Sequence, residues 1–195
     1  MNYGSIKKHD IANGLGVRVS LFVSGCTHHC PGCFNQETWD FNYGIKYTSE
    51  TQKEIIEALN HEYISGLTLI GGEPFEPSNQ EVLVGLVKES KNIFPNKNIW
   101  CYTGYNFEND LLQNSRVRCQ FTDELLSYID ILVDGKFEKN KKNLTYYKTP
   151  YGQMLVGVNT KNMEISVDED QIGVKVAYEL DVNHELPKNT AGSIN

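Results

Sequence analysis

The sequence lacks the features of a membrane or secreted protein. It has no apolar run near the roughly 18 residues that a membrane-spanning helix needs, and residues 1–10 contain no apolar stretch of the signal-peptide type. It also lacks a basic excess, because 18 Lys and Arg stand against 25 Asp and Glu for a formal net charge of −7. A nucleic-acid binder is usually basic, so that class of protein is disfavoured. We therefore expect a cytoplasmic protein with neither a membrane nor a nucleic acid as its partner.

Cysteine is also scarce, and an odd number of five cysteines does not suit a framework of disulfide bonds. Three of them nevertheless fall within eight positions, at Cys26, Cys30 and Cys33. In a reducing compartment such a cluster is typical of metal binding. The other two, Cys101 and Cys119, stand alone in the sequence. The cysteines therefore indicate one metal site built from a single short segment.

What is present is a pattern of short apolar strands that alternate with amphipathic helices. The hydrophobic fraction of 39% is enough for a packed core in a chain of 195 residues. Strands are predicted at residues 18–23, 66–70, 98–103 and 129–133, and helices at residues 50–60, from about residue 80, and at about residues 123–128. Ser49 and Gln52 have the spacing of a capping box, and Tyr63 is expected to extend the apolar face of the first helix.

This alternation is typical of an α/β fold in which helices cover a parallel sheet and functional loops follow the strand ends. The chain is too short for an eight-fold barrel of about 250 residues, so a partial (β/α) barrel is predicted. Beyond about residue 159 apolar and polar residues alternate, which predicts a β-hairpin over residues 163–182. We expect a main domain at residues 1–160 and a C-terminal hairpin and tail at residues 161–195, whose role the sequence does not indicate.

The clustered cysteines form a C-x3-C-x2-C loop directly after the first predicted strand. Thiolates are the usual ligands of iron–sulfur clusters, and three of them leave one iron of a four-iron cubane without a protein ligand. An open iron suits a catalytic cluster, which can bind substrate there. Structural zinc needs four ligands, and although His28 or His29 could supply a nitrogen, both lie inside the loop and are expected to be solvated. The spacing therefore favours a cluster over zinc.

The same loop resembles the signature of the radical S-adenosylmethionine enzymes. The resemblance implies a partial barrel in which Cys26, Cys30 and Cys33 hold a 4Fe–4S cluster, whose free iron is chelated by the methionine half of S-adenosylmethionine. The Gly-Gly-Glu-Pro segment at residues 71–74 is similar to the segment that contacts the methionine amino group in that superfamily. The residue types agree, since glycine permits close backbone approach and a carboxylate accepts from an ammonium group.

A closer resemblance, to the activating proteins of anaerobic (class III) ribonucleotide reductases, covers most of the first 137 residues. It is carried by residues 13–18, 21–26, 33–35, 38–39, 99–105 and 132–137. It implies that cleavage of S-adenosylmethionine generates a glycyl radical on an anaerobic ribonucleoside-triphosphate reductase, the protein partner, with reduced flavodoxin or a similar protein as the electron donor. Two departures from the family pattern are Leu15, where proline is usual, and residues 145–153, which match poorly.

The resemblance also assigns the site residues. Beside the three cluster ligands, the cofactor contacts are expected to be Gly32, Cys33, Phe34, Gly72 and Glu73, with no catalytic side chain beyond the cluster and the cofactor. Tyr105 follows the third predicted strand, where an adenine or a partner peptide could rest. The alternatives are an activase of another glycyl-radical enzyme, a radical enzyme acting on a small molecule, and, outside catalysis, an iron–sulfur electron carrier or a zinc-binding module.

Overall fold

The computed structural model describes residues 1–137 and the backbone of residues 154–157. The described residues form seven strands: β1 (Asn2–Asp10), β2 (Val17–Val23), β3 (Ile45–Lys46), β4 (Ile64–Gly71), β5 (Asn98–Tyr102), β6 (Ile131–Asp134) and β7 (Met154–Gly157). They also form three α-helices, α1 (Ser49–Leu59), α2 (Pro77–Ile93) and α3 (Thr122–Tyr128). Two shorter helical turns, at Gln36–Trp39 and Phe107–Leu111, lie in the loops after β2 and β5.

The strands form one sheet in the order β3-β1-β2-β4-β5-β6-β7. The four central strands, β2, β4, β5 and β6, are parallel, whereas β1, β3 and β7 pair antiparallel at the two sides. The predicted α/β class and its parallel strands are therefore confirmed. The sequence analysis did not find β1, because its residues do not alternate regularly between apolar and polar types.

All three helices pack on one face of the sheet. Because strand side chains alternate between faces, every second residue of a central strand enters the core with the apolar sides of the helices. The core residues include Val19, Leu21, Leu67, Leu69, Ile55, Leu83, Leu86 and Leu125, all of them essentially buried. The other face carries a smaller cluster around Trp100, Ile131 and Val133. The loops that follow β2, β4 and β5 lie at the carboxyl ends of these parallel strands.

Helix α1 begins one residue before the predicted position, and its cap differs from the prediction. Thr48 is the N-cap, and its side chain and that of Thr51 form a reciprocal capping box. The expected box of Ser49 with Gln52 is therefore wrong, because Thr48 already occupies the extended conformation that an N-cap requires. Tyr63 lies beyond the end of the helix and is exposed, where its ring stacks on His9.

The other strands and helices that the sequence analysis predicted differ from those in the structure only at their ends. Helix α2 begins at Pro77 because proline is favoured in a first turn, where its missing N–H is no loss. Strand β6 begins at Ile131, two residues later than predicted. The predicted hairpin at residues 163–182, and so the proposed division at residue 160, lies outside the described residues. No helix in the described part of the chain has the length and apolar character to cross a membrane.

Candidate active site

The cysteine loop is anchored where strand β2 ends. Gly25 has a positive φ of 93°, and its N–H donates to the carbonyl of Thr38 at 2.8 Å. The Cys26 N–H likewise donates to the carbonyl of Trp39 at 3.2 Å. A side chain at Gly25 would collide with the ring of Phe41, which supports this turn from outside. Backbone hydrogen bonds to Thr38 and Trp39, which follow the loop in the sequence, therefore hold the start of the loop in place.

The three clustered thiols lie at different depths. Cys26 is 7% exposed, while Cys30 and Cys33 are half-buried, and the Cys33 N–H donates to the Cys30 carbonyl at 3.1 Å. Burial raises the pKa of the Cys26 thiol to about 12 and also raises the pKa of Cys30. Because metal ligation requires the thiolate, iron binding and loss of these protons are coupled. Gly32, with a φ of 79°, turns the loop between Cys30 and Cys33.

Among the described residues, no three His, Cys, Asp or Glu side chains converge as ligands of a single metal ion. The loop carries three free thiols, and the other two cysteines lie elsewhere in the chain. Cys101 is fully buried in β5, and the Cys119 thiol lies 3.5 Å from the side-chain oxygen of Gln80. The donor set of the loop is thus three thiols without a fourth, which fits a cubane with one open iron better than closed zinc coordination.

The Gly-Gly-Glu segment lies directly beside the cysteine loop because β2 and β4 are parallel neighbours, with Val23 opposite Gly71. The Gly72 N–H donates to the Val23 carbonyl at 2.7 Å, and the Glu73 N–H donates to the Gly25 carbonyl at 2.8 Å. A Cβ at Gly72 would lie 2.7 Å from the Gly25 carbonyl oxygen. Glycine is therefore required at position 72 because the backbone of the cysteine loop lies so close to it.

Glu73 is completely buried, and its carboxylate accepts four hydrogen bonds. Oε1 accepts from the Phe75 N–H at 2.9 Å and from the Thr103 hydroxyl at 2.7 Å. Oε2 accepts from the Gly104 N–H at 2.7 Å and lies 3.1 Å from His28 Nε2. Three of these donors belong to the strand ends and the Gly-Gly-Glu segment, whereas His28 belongs to the cysteine loop.

The two histidines of the cysteine loop differ in their surroundings. The His28 side chain is 5% exposed, lies against Gly104 and packs on the ring of Tyr105 with centroids 4.2 Å apart. His29 is exposed and stacks on Trp39. The expectation that both are solvated is wrong for His28, because its pairing with Glu73 depends on a contact between residues 45 positions apart.

Phe34 lies on the rim of the site, where it is 63% exposed and its ring meets that of Phe137 edge to face at 6.4 Å. Tyr105 is 6% exposed and points into the site, as its position after the strand suggested. Its hydroxyl donates to Glu76 at 3.2 Å. The sequence analysis did not single out Glu76, Thr27 or Arg116, which meet at this hydroxyl; the position of Glu76 three residues after Glu73 was the one available signal.

Comparisons with known proteins agree with this site. A family profile described as a 4Fe-4S single cluster domain matches residues 12–155. The anaerobic ribonucleoside-triphosphate reductase-activating protein of Enterobacteria phage T4 is 46% identical over 140 residues, which are 72% of this chain and 83% of the phage protein. Proteins of the same name from Pasteurella multocida and Escherichia coli K12 are 42% and 39% identical, and the matches cover 87% and 89% of those proteins.

The chain belongs to the family of anaerobic ribonucleoside-triphosphate reductase-activating proteins. The resemblance stated from the sequence is thereby confirmed, and the 4Fe–4S domain of this activating-protein family contains all three clustered cysteines. A second profile, a domain of unknown function (DUF1934), matches residues 131–194. It begins at β6 and overlaps the 4Fe–4S match up to residue 155.

Proposed function

We propose that this chain activates an anaerobic ribonucleoside-triphosphate reductase by reductive cleavage of S-adenosylmethionine. The observation that carries the proposal is the position of the three-thiol loop beside the buried Gly-Gly-Glu segment, at the carboxyl edge of neighbouring strands β2 and β4. In parallel α/β sheets this edge is where ligands bind. Membership of the activating-protein family supports the identity of the protein partner.

The proposed cluster ligands are Cys26, Cys30 and Cys33. A cluster held by these thiolates would supply the electron for cleavage of the S–C5′ bond of S-adenosylmethionine to methionine and a 5′-deoxyadenosyl radical, and that radical would remove a hydrogen atom from a glycine Cα of the reductase. The chain's own part is to hold three thiolates in one loop and to keep the fourth iron open. His28 contacts Glu73 and His29 stacks on Trp39.

Glu73 is proposed to accept a hydrogen bond from the ammonium group of the cofactor. Its four acceptor positions are occupied, so the ammonium must take the place of one donor. The His28 contact is the one that can be exchanged, because the other donors are two backbone N–H groups and a hydroxyl next to β5. Binding therefore replaces the His28 imidazole at Oε2 and leaves the buried carboxylate fully satisfied.

The remaining proposed cofactor contacts are Gly32, Cys33, Phe34 and Gly72. Gly32 and Phe34 are exposed at the outer part of the loop, where a ligand can reach them from solvent. Gly72 lies deeper and packs tightly against Gly25. Because this packing leaves no room for a ligand beside its Cα, the proposed contact is made by the Gly72 backbone.

The finer architecture belongs to the same proposal. The four parallel strands are consistent with a partial barrel of the radical S-adenosylmethionine type, whose open side a large protein partner would close. Such closure excludes water from a reactive intermediate and holds the target Cα close to the cofactor. Reduced flavodoxin or a similar protein is the proposed electron donor. The free thiols support a reducing, cytoplasmic location, and the division at residue 160 remains our proposal for the domains.

The test is an anaerobic reconstitution of the chain with iron and sulfide, followed by S-adenosylmethionine and dithionite. We expect release of 5′-deoxyadenosine, slow without the reductase and faster with it. Addition of the matching anaerobic reductase should give the doublet electron paramagnetic resonance signal of a glycyl radical. The doublet should vanish when the radical glycine of the reductase is changed to alanine.

Each alternative has its own outcome in this experiment. A doublet with a different glycyl-radical enzyme, and none with the reductase, would transfer the assignment to that enzyme. Cleavage without any glycyl radical would favour a small-molecule substrate. A reducible cluster that releases no 5′-deoxyadenosine would leave an electron carrier, and a chain that takes up zinc but no iron would leave a zinc-binding module.

A further inference from the structure

Glu76 is a buried carboxylate beside the cysteine loop that none of the proposed cofactor contacts uses. It is 3% exposed and is the N-cap residue of α2, yet its side chain makes no capping hydrogen bond. Its Oε1 atom instead accepts from the N–H of Thr27 at 3.0 Å and from the Thr27 hydroxyl at 2.5 Å. Thr27 directly follows Cys26. The side chain of Glu76 thus leaves its own helix and holds the second residue of the cysteine loop.

Two further side chains complete the contact. The Tyr105 hydroxyl donates to the same Oε1 atom at 3.2 Å. Arg116 Nη2 lies 3.5 Å from Oε1 and also donates to the hydroxyls of Thr27 and Tyr105. We name Thr27, Glu76, Tyr105 and Arg116 the Glu76 clamp. Its members come from the segments after β2, β4 and β5 and from the segment before α3, so one oxygen atom joins four separate parts of the chain.

Two sources of positive electrostatic potential face the Glu76 carboxylate. The carboxylate lies at the amino end of α2, a helix of 17 residues, whose dipole stabilises negative charge at that end. Arg116 supplies a positive charge from the solvent side, with its own side chain 57% exposed. Hydrogen bonds to an ionised acceptor are about twice as strong as those between neutral groups. The two bonds to Thr27 are therefore strong enough to restrain the loop backbone next to Cys26.

We propose that Glu76 is a positioning residue that orients the cysteine loop for cluster binding. It fixes the backbone at Thr27, and through it the direction in which Cys26 presents its thiolate. The inference rests on the proposed function in one respect, that Cys26 is a cluster ligand. A loop held in this way loses little conformational freedom when it binds the cluster, so release of the cluster is slow. Without the carboxylate the loop samples other conformations, and the cluster is lost faster.

The test compares Glu76→Ala with Glu76→Gln in the full chain after anaerobic reconstitution. Iron and sulfide per chain, and the rate of cluster loss to an iron chelator, are measured for each variant, with circular dichroism of the apoprotein as the check on folding. Glu76→Ala should lose its cluster about tenfold faster or more, because both bonds to Thr27 are gone. Glu76→Gln keeps an acceptor oxygen for Thr27 and should restore the rate to within about threefold.

The reduction potential of the cluster gives a second readout, which reports the proximity of the Glu76 charge to the loop. Glu76→Gln removes one negative charge near the loop while keeping the hydrogen bonds, so the potential should rise relative to the wild type. Glu124→Gln is the matched control. It removes a carboxylate whose partner is Lys88 on the exposed faces of α2 and α3, and it should change neither the rate of cluster loss nor the potential.

The outcomes separate this inference from the proposed function. A wild-type chain that takes up no four-iron cluster would contradict the proposed function itself. A wild type that loads normally, with a Glu76→Ala variant that releases its cluster at the same rate, would overturn the inference alone. Should Glu76→Ala fail to fold, Glu76→Leu replaces it, because leucine fills the buried volume but accepts no hydrogen bond from Thr27. An unchanged rate of cluster loss in Glu76→Leu would then overturn the inference.

Discussion

At the scale of single residues, the five cysteines fall into two groups. Cys26, Cys30 and Cys33 share one loop, whereas Cys101 lies in the core and Cys119 contacts Gln80. Burial raises the pKa of Cys101 well above that of a free thiol, which keeps it protonated and unreactive at neutral pH. The loop thiols, by contrast, lie at the ligand-binding edge of the sheet. Cys101 and the loop thiols therefore differ in reactivity because they lie in different parts of the fold.

Replacement of single cysteines tests this division. Alanine at Cys26, Cys30 or Cys33 should abolish the brown 4Fe–4S chromophore after reconstitution or leave it labile, since each change removes one of the three proposed protein ligands. Cys101→Ala and Cys119→Ala should retain the full iron content, measured per chain by colorimetric assay. Loss of the cluster in Cys119→Ala would reveal a fourth protein ligand and contradict the open iron.

Glu73→Gln tests the proposed ammonium contact. The variant keeps the size of the side chain, unlike alanine, which would leave the buried donors of Thr103 and Gly104 unpaired. We expect a full cluster but weaker binding of S-adenosylmethionine, by about 1.5–3 kcal/mol, the usual contribution of a hydrogen bond to a charged group. Anaerobic isothermal titration calorimetry measures this affinity, with Glu124→Gln as control. Equal affinities would remove Glu73 from the cofactor site.

At the scale of secondary-structure elements, Arg18 joins three parallel strands at their amino ends. It is completely buried in β2, and its guanidinium donates to the Thr68 hydroxyl at 2.6 Å, the Leu67 carbonyl at 2.7 Å and the Asn98 side chain at 2.7 Å. It also lies over the ring of Trp100. Burial lowers the pKa of Arg18 to about 10, so it remains charged at neutral pH. No carboxylate of the described residues forms an ion pair with it.

Arg18→Met should therefore destabilise the whole sheet. Methionine fills much of the same volume but leaves the acceptors on β4 and β5 without donors in a buried setting. We expect the free energy of unfolding to fall by at least about 1–3 kcal/mol, the usual cost of a buried acceptor that is left without a donor. Urea denaturation of the apoprotein measures the change. The matched control, Lys8→Met, breaks an exposed pair with Glu54 and should cost about 1 kcal/mol or less.

At the scale of the whole molecule, the order of the strands decides where the chemistry lies. Two parallel neighbours, β2 and β4, bring the cysteine loop and the Gly-Gly-Glu segment to the same edge, although a helix separates them in the sequence. Strand β5 adds Thr103, Gly104 and Tyr105 from the next position in the sheet. The site is thus a product of three consecutive strand ends.

Truncation after Thr160 tests how much of the chain this site needs. The shortened chain retains all seven described strands, including β7, which pairs with β6. We expect it to hold its cluster and to cleave S-adenosylmethionine at a measurable rate, with any loss confined to stability or to activation of the reductase. Release of 5′-deoxyadenosine by the full and truncated chains gives the comparison. A folded, cluster-loaded truncation without cleavage would place part of residues 161–195 at the active site.

The sequence alone was sufficient for features that depend on local spacing. The three cysteines, the Gly-Gly-Glu segment and the central strands and helices could be identified because ligand spacing and apolar periodicity lie within short windows. Strand β1 could not, since its pairing with β2 and not its composition makes it a strand. The N-cap at Thr48 was missed for a related reason, because two overlapping capping patterns differ only in backbone conformation.

Only the tertiary structure decided which polar side chains meet at the site. His28 contacts Glu73 across 45 positions, and Thr27 contacts Glu76 across 49. Nothing in the local sequence distinguishes His28 from His29, yet one is buried against a carboxylate and the other is exposed on Trp39. Local sequence determines which ligands a loop can offer, while long-range strand pairing determines which buried charges surround them, because a buried carboxylate is stable only where the fold brings it enough donors.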